Sequence, residues 1–219
     1  LGAEVTGVTA ADLVTEAGAA ACLAALDCHG VLVHRGLDLS DDDLVALSRL
    51  LGEVVPNPTG EHRLPEIATI TLDPALTHEV LAWYRQGNFL WHVDGMTDER
   101  PQRATLLLAR QVDEGGGGDP EFASTAAAYE ALPADERAEL DGLRVVHSFA
   151  ASQRRAHPDA TPEQQAGWDR YPAREHPLVW QHRDGRRSLL IGATADHVVG
   201  WPADRSDELL GRLLAWTTQ

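Results

Sequence analysis

Apolar residues in this chain come in short runs, and that limits the folds open to it more than any other feature. Gly30-Val31-Leu32-Val33-His34, Ile67 to Leu72, Phe89 to Val93, Ala104 to Ala109, Leu143 to Phe149 and Arg187 to Ile191 are each bounded by Gly, Pro or polar residues. Runs of this length, several of them β-branched, are predicted strands, because a helix needs a longer stretch to bury one face. His176 to His182 and Arg187 to Ile191 read as a strand pair around Arg183-Asp184-Gly185-Arg186, where Asp-Gly supplies the turn.

Helical spacing appears at fewer places. It runs from Ala10 to Leu26, behind an opening strand at Leu1 to Val8. Ser40 is a predicted N-cap for a helix with Asp41, Asp42 and Asp43 in its first turn, Leu44, Leu47, Leu50 and Leu51 on one side, and Gly52 as the stop. Thr125 to Leu132 and Pro133 to Leu140 read as two short helices, and Ala203 to Trp216 as an amphipathic closing helix. Val54 to Pro65 reads as a loop, and Pro74 to Gln86 fits a helix or a flexible flap equally, which makes it a lid candidate. Residues 150 to 175, polar and rich in Arg and Gln, read as an excursion from the core. The run Gly115 to Gly118 has no Lys-Ser/Thr after it and reads as a tight turn, not a phosphate loop. Many short strands with helices inserted at few points predict a mainly β fold with helical decoration, and a jelly roll fits.

With 219 residues the chain suffices for one globular domain, 1–219. A formal charge of −16 argues against nucleic acid or an anionic membrane as the main partner, since both require a basic face. An anionic small molecule fits where a few arginines gather, as at Arg154, Arg155, Arg186 and Arg187. Cys22 and Cys28 match no zinc or redox spacing and read as core thiols of a reducing cytoplasm. No apolar run reaches the length of a membrane span, so a cytoplasmic protein is expected.

The stretch Asn88-Phe89-Leu90-Trp91-His92-Val93-Asp94-Gly95 carries the chemistry. Read as a strand, it puts His92 and Asp94 on one face, because residues i and i+2 share a side. A neutral imidazole and a carboxylate converging on one point supply two ligands of a 2-His-1-carboxylate facial triad, which leaves open positions on a ferrous ion. The third ligand is not evident. His147 and His176 lie in predicted strands and are conceivable, although a structural role suits each better.

Trp91-His92-Val93-Asp94, Ala104 to Ala109, Gly117-Gly118-Asp119-Pro120-Glu121-Phe122-Ala123-Ser124, Ala127 to Leu132, Gly142 to Ser148, His176-Pro177-Leu178-Val179 and Gly185 to Leu189 occur in one order and spacing. Together they resemble the taurine dioxygenase and 2,4-dichlorophenoxyacetate dioxygenase (TauD/TfdA) family. The resemblance implies a double-stranded β-helix, Fe(II), and 2-oxoglutarate as cosubstrate. It also implies dioxygen-dependent hydroxylation of a small organic substrate, with release of succinate and carbon dioxide. His92 and Asp94 match the family's first two iron ligands, and Asn88 falls where members place a substrate-contacting side chain. Pro120 stands where the family usually has a Thr that contacts 2-oxoglutarate, so that contact is expected from a neighbour such as Ser124 or Thr125. The family's distal His and its 2-oxoglutarate-binding Arg are expected beyond Gln219, along with the last barrel strands, and a start at Leu1 points to a longer gene product. The alternatives are a non-catalytic relative acting as a binding or interaction module, and a hydrolase using another divalent ion. The substrate is unspecified, and a homo-oligomer is compatible with the sequence.

Overall fold

The computed structural model describes residues 1–56, 62–112, 115 and 117–219. The glycine run therefore lies partly outside the described residues, as does the middle of the predicted loop 54–65. Contacts divide the chain into two compact units, one of Leu1–Ile70 with Leu106–Phe122 and one of Thr71–Thr105 with Ala123–Gln219.

In the first unit, β1 (Ala3–Glu4) and β2 (Leu32–Val33) form a two-stranded parallel sheet in the register Ala3 to Leu32. The single helix predicted from Ala10 is instead two, α1 (Ala10–Leu13) and α2 (Glu16–His29). The break has a local cause. Thr9 and Asp12 form a capping box on α1, and the Thr15 hydroxyl then accepts from the Gly18 amide to start a second helix. The turn is so tight that a Cβ on Gly18 would sit 2.2 Å from the Asp12 carbonyl oxygen. Helix α3 (Asp41–Leu51) starts at Ser40 as predicted, with a reciprocal Ser40 and Asp43 capping box and three acidic residues in its first turn. Leu13, Ala19 and Leu47 form the core here, flanked by Cys22 and Leu106. Cys22 is partly buried, but Cys28 is exposed and is no core thiol.

The second unit is larger. Helix α4 (Glu79–Tyr84) and a 3₁₀ turn (Arg85–Phe89) occupy the lid candidate and its continuation. The Trp83 ring of α4 stacks on His157 at 3.7 Å, and Arg85 donates to the Thr77 hydroxyl. Helices α5 (Thr125–Ala131) and α6 (Ala134–Leu140) follow as expected, and lead into β3 (Arg144–His147). Residues 150 to 175, read as an excursion from the core, instead contribute to it. They hold α7 (Phe149–Ala156), which buries Ala150, Ala151, Ser152 and Gln153, and α8 (Pro162–Trp168), whose Trp168 is fully buried. Alanines and one tryptophan carry the packing while the Arg and Gln side chains raise the average polarity.

Strand β4 (Arg174–Pro177), β3 and β7 (Ala195–Val198) form an antiparallel sheet in the order β4-β3-β7. Its register shifts between Val146 and His147. Strands β5 (Val179–Gln181) and β6 (Arg187–Leu189) pair antiparallel across the Asp184-Gly185 turn, as predicted, although His176 and Pro177 belong to β4. Helix α9 (Ala203–Thr217) closes the unit with Leu210 and Leu213 buried, and the Trp216 indole donates to the Ala128 carbonyl. Val145, Leu178, Leu189, Val198 and Leu213 are at the centre of this core.

Among the described residues there are nine α-helices and three sheets of two, three and two strands. The expected mainly β barrel is not formed among them. Ile67–Leu72, Trp91–Val93 and Ala104–Ala109 have strand composition but no ladder, and Ile70, Leu72 and Leu107 are exposed. Side-chain composition suits a residue to a strand, but only a hydrogen-bonded neighbour makes one. No described helix is long and apolar enough to cross a membrane.

The Leu213 side chain is apolar and the residue is 0 % exposed in the core. Leu213→Ala should lower the free energy of unfolding by about 2–5 kcal/mol, the usual cost of a buried leucine cavity. Urea titration would register this as a lower midpoint with the slope unchanged.

Candidate metal centre

His92 and Asp94 are not on a strand, yet they meet. His92 Nε2 lies 3.3 Å from Asp94 Oδ1. The segment that carries them is anchored on both sides. Before it, the Ala193 amide donates to the Trp91 carbonyl at 2.8 Å. After it, Met96 is buried and its carbonyl accepts from His176 Nε2 at 3.1 Å. One backbone hydrogen bond beside the segment is too few for a ladder, which is why the predicted strand is an extended approach into a turn, closed by Asp98 N–H to the Gly95 carbonyl.

The remaining atoms of both side chains are occupied. His92 Nδ1 lies 2.7 Å from the Leu90 carbonyl, an acceptor only, so Nδ1 carries the proton and Nε2 is the free face. Asp94 Oδ2 accepts from the Thr105 hydroxyl at 2.7 Å, which leaves Oδ1 toward His92. Each group adjusts the other. The Asp94 carboxylate raises the His92 pKa, with the Leu90 carbonyl helping and partial burial opposing. His92, and then Thr105, lower that of Asp94 against its own partial burial. When His92 is protonated, its Nε2–H faces Asp94 Oδ1, which is why each group favours the charged form of the other.

The donor set fits two ligands of a mononuclear centre. One imidazole nitrogen and one carboxylate oxygen converge, each with its second atom held by a hydrogen bond, as metal-binding side chains generally are. Among the described residues no group of three His, Cys, Asp or Glu is placed to hold a metal, so neither His147 nor His176 completes the set. His176 is committed to Met96. His147 is fully buried, with Nδ1 3.0 Å from the Thr194 hydroxyl and Nε2 without a hydrogen bond, its ring centroid 5.8 Å from that of His176. Asn88 is exposed on the 3₁₀ turn, and the hydrogen bonds that orient His92 and Asp94 do not involve it. The Ser124 hydroxyl accepts from the Ala127 amide as the N-cap of α5.

Two contributors are absent from the sequence reading. Thr105 is the one polar residue in Ala104 to Ala109, and a hydroxyl interrupting an apolar run was the available signal. Gly192 has no such signal. Its φ of +144° suits glycine, and a Cβ there would lie 3.0 Å from His92 Cα and 3.1 Å from the Trp91 carbonyl oxygen.

A half-exposed His and Asp pair with both outer atoms tied down defines a candidate mononuclear metal protein. The sequence matches the family described as taurine catabolism dioxygenase TauD, TfdA family, over residues 1–219, and the chain belongs to that family. It is 35% identical over 208 residues to the alpha-ketoglutarate-dependent 2,4-dichlorophenoxyacetate dioxygenase of Cupriavidus pinatubonensis, covering 89% of this chain and 71% of the relative. It is 31% identical over 229 residues to the (S)-phenoxypropionate/alpha-ketoglutarate-dioxygenase of Delftia acidovorans, covering 100% and 77%. The crystal structure of AAD-2 in complex with Mn(II) and N-oxalylglycine is similar with a TM-score of 0.79 at 26% identity, over 100% of this chain and 76% of that one. A taurine dioxygenase from Burkholderia xenovorans is similar with a TM-score of 0.68 at 26% identity, over 100% and 70%. The chain is thus a member of a family of 2-oxoglutarate-dependent dioxygenases.

His147 has a measurable consequence of its own. Burial lowers its pKa from 6.5 to about 4, with His176 and Arg155 adding to the effect and the Leu190 carbonyl opposing it. Above pH 6.5 both folded and unfolded chains hold it neutral. Between pH 6.5 and 4 only the unfolded chain takes up the proton, so stability falls with pH across that window and levels off below it. His147 should contribute roughly 3 kcal/mol to the stability lost from pH 7.5 to 4. Urea unfolding of wild type and His147→Gln at several pH values would isolate this share, since the variant should lose less stability across the window.

Proposed function

We propose that this chain is the iron-binding part of an Fe(II)/2-oxoglutarate-dependent dioxygenase that hydroxylates a small organic anion, with release of succinate and carbon dioxide. The observation that carries this reading is the geometry of His92 and Asp94. Nε2 and Oδ1 face each other while Leu90 and Thr105 hold the opposite atoms, in a chain whose family is built on that chemistry. The relatives' names supply the substrate class. 2,4-Dichlorophenoxyacetate, (S)-phenoxypropionate and a sulfate ester, the last from the Pseudomonas putida relative at 30% identity, are all small organic anions. The double-stranded β-helix is our reading of the complete fold, and one domain over 1–219 that of its extent. Similarity to solved family members and the end-to-end family match support them.

Fe(II), 2-oxoglutarate and dioxygen would supply the oxidising chemistry. The chain's own residues do the holding. His92 and Asp94 would take the metal through Nε2 and Oδ1. The Leu90 carbonyl fixes the His92 ring and its tautomer, and Thr105 holds the carboxylate so that one oxygen is presented. A cation on Nε2 competes with a proton there, so metal uptake should weaken as pH falls. Asn88, exposed before the pair, is our candidate for a substrate contact.

The test uses full-length protein with Fe(II), ascorbate and 2-oxoglutarate under air, with succinate as readout and aryloxyalkanoates and alkyl sulfates as candidate substrates. Wild type should form succinate slowly alone and faster with a true substrate. His92→Ala should abolish both. Thr105→Val should weaken Mn(II) binding by about tenfold in calorimetry, and Thr105→Ser should restore it. Wild-type protein that neither binds metal nor forms succinate would instead indicate a non-catalytic binding module. Turnover with a divalent ion but without 2-oxoglutarate would indicate a hydrolase.

A further inference from the structure

His92 is held by a relay that begins well away from it in sequence. Arg155, on the last turn of α7, donates through Nη1 to the Ala193 carbonyl. The amide of that same residue donates to the Trp91 carbonyl at 2.8 Å, immediately before His92. Gly192, one residue earlier, lies against the His92 backbone so closely that a Cβ would meet His92 Cα at 3.0 Å. One residue later, the Thr194 carbonyl accepts from the Ser148 amide at 2.9 Å, at the N-cap of α7. Residues 192 to 194 therefore form a short strap, held to both ends of one helix on one side and seated against His92 on the other.

From this geometry we infer that Arg155 is a positioning residue for the His92 ligand, acting through the backbone of Ala193. The inference rests on the assignment of His92 as a metal ligand. A guanidinium on a peptide carbonyl is a charge-assisted donor, stronger than a neutral one. The two bonds hold the C=O and the N–H of one residue and brace its backbone between helix and ligand segment. Asp196 and Asp207 lie where they favour the guanidinium charge, which partial burial opposes more strongly. The neighbouring Arg154 has a different task, an ion pair with Asp169 on the surface. The same strap accounts for Gly192, because a side chain there would push between strap and His92.

The experiment compares Arg155→Met, which keeps the stem and loses the donor, Arg155→Lys, which keeps one charged donor, and Arg154→Met as a control on the same helix. Two readouts are taken on the full-length protein, with circular dichroism to establish that each variant is folded. The first needs no metal and consists of amide exchange at Ala193 and the nitrogen chemical shifts of the His92 ring. Arg155→Met should speed Ala193 exchange at least tenfold and move the His92 signals, Arg155→Lys should recover most of both, and Arg154→Met should leave them as in wild type. The second is Mn(II) affinity, which should fall about tenfold in Arg155→Met and recover in Arg155→Lys, in the range expected for outer partners of a metal ligand. Unchanged Ala193 exchange and His92 signals in a folded Arg155→Met overturn the inference. Wild type that binds no metal would fail the ligand assignment, and with it the ligand role given to Arg155, while the metal-free readout still decides whether Arg155 positions His92. If Arg155→Met does not fold, Arg155→Gln takes its place with the same expectations.

Discussion

Strand β3 is what the second unit depends on. It pairs with β4 through Val145 and His176 and with β7 through Val145 and Val198, and Val145 is fully buried between them. Beyond its ends the chain continues to use it. The Leu143 carbonyl accepts from Leu178, and the Ser148 amide donates to Thr194. A central strand has both backbone edges committed, so whatever its neighbours carry is placed with little freedom. What they carry here is His176, which reaches Met96, and the strap at 192 to 194, which reaches Trp91.

The candidate metal centre inherits its order from that arrangement. His92 and Asp94 are themselves half-exposed and lie outside any sheet, which leaves room for a cation and small molecules. Their precision comes from anchors on either side and from one hydrogen bond to each outer atom. Placing polar ligands on an irregular segment that is fixed at both ends reconciles two needs that a regular strand meets less easily, access from solvent and a defined direction.

Buried polar groups surround the anchors. His147, Gln153, His157 and Trp168 each hold a buried side-chain atom without a hydrogen bond, and all four lie on α7 or on the segments flanking or packed against it. Such groups are costly to bury, and His147 answers the cost by staying neutral. The helix that carries Arg155 is thus packed from several directions, by the Trp83 and His157 stack among others, which suits it to act as a fixed support.

The sequence by itself determined what local chemistry can determine. Ser40 with Asp43 placed the start of α3, Asp184-Gly185 the turn between β5 and β6, and the leucines of α9 its buried side, because caps, turns and periodicity act over a few residues. It also marked His92 and Asp94 as a pair, since two metal-capable side chains two residues apart beside Trp91 need no partner to be noticed. It misplaced them on a strand and read 150 to 175 as an excursion from the core, because a ladder and a buried face both depend on what lies opposite. Only the tertiary structure decided that Thr105 holds Asp94 and that Gly192 and Ala193 seat His92. It also decided that Arg155 reaches them from a helix 38 residues earlier than Ala193. Those contacts join residues far apart in sequence, and no local pattern records which backbone amide a distant carbonyl will meet.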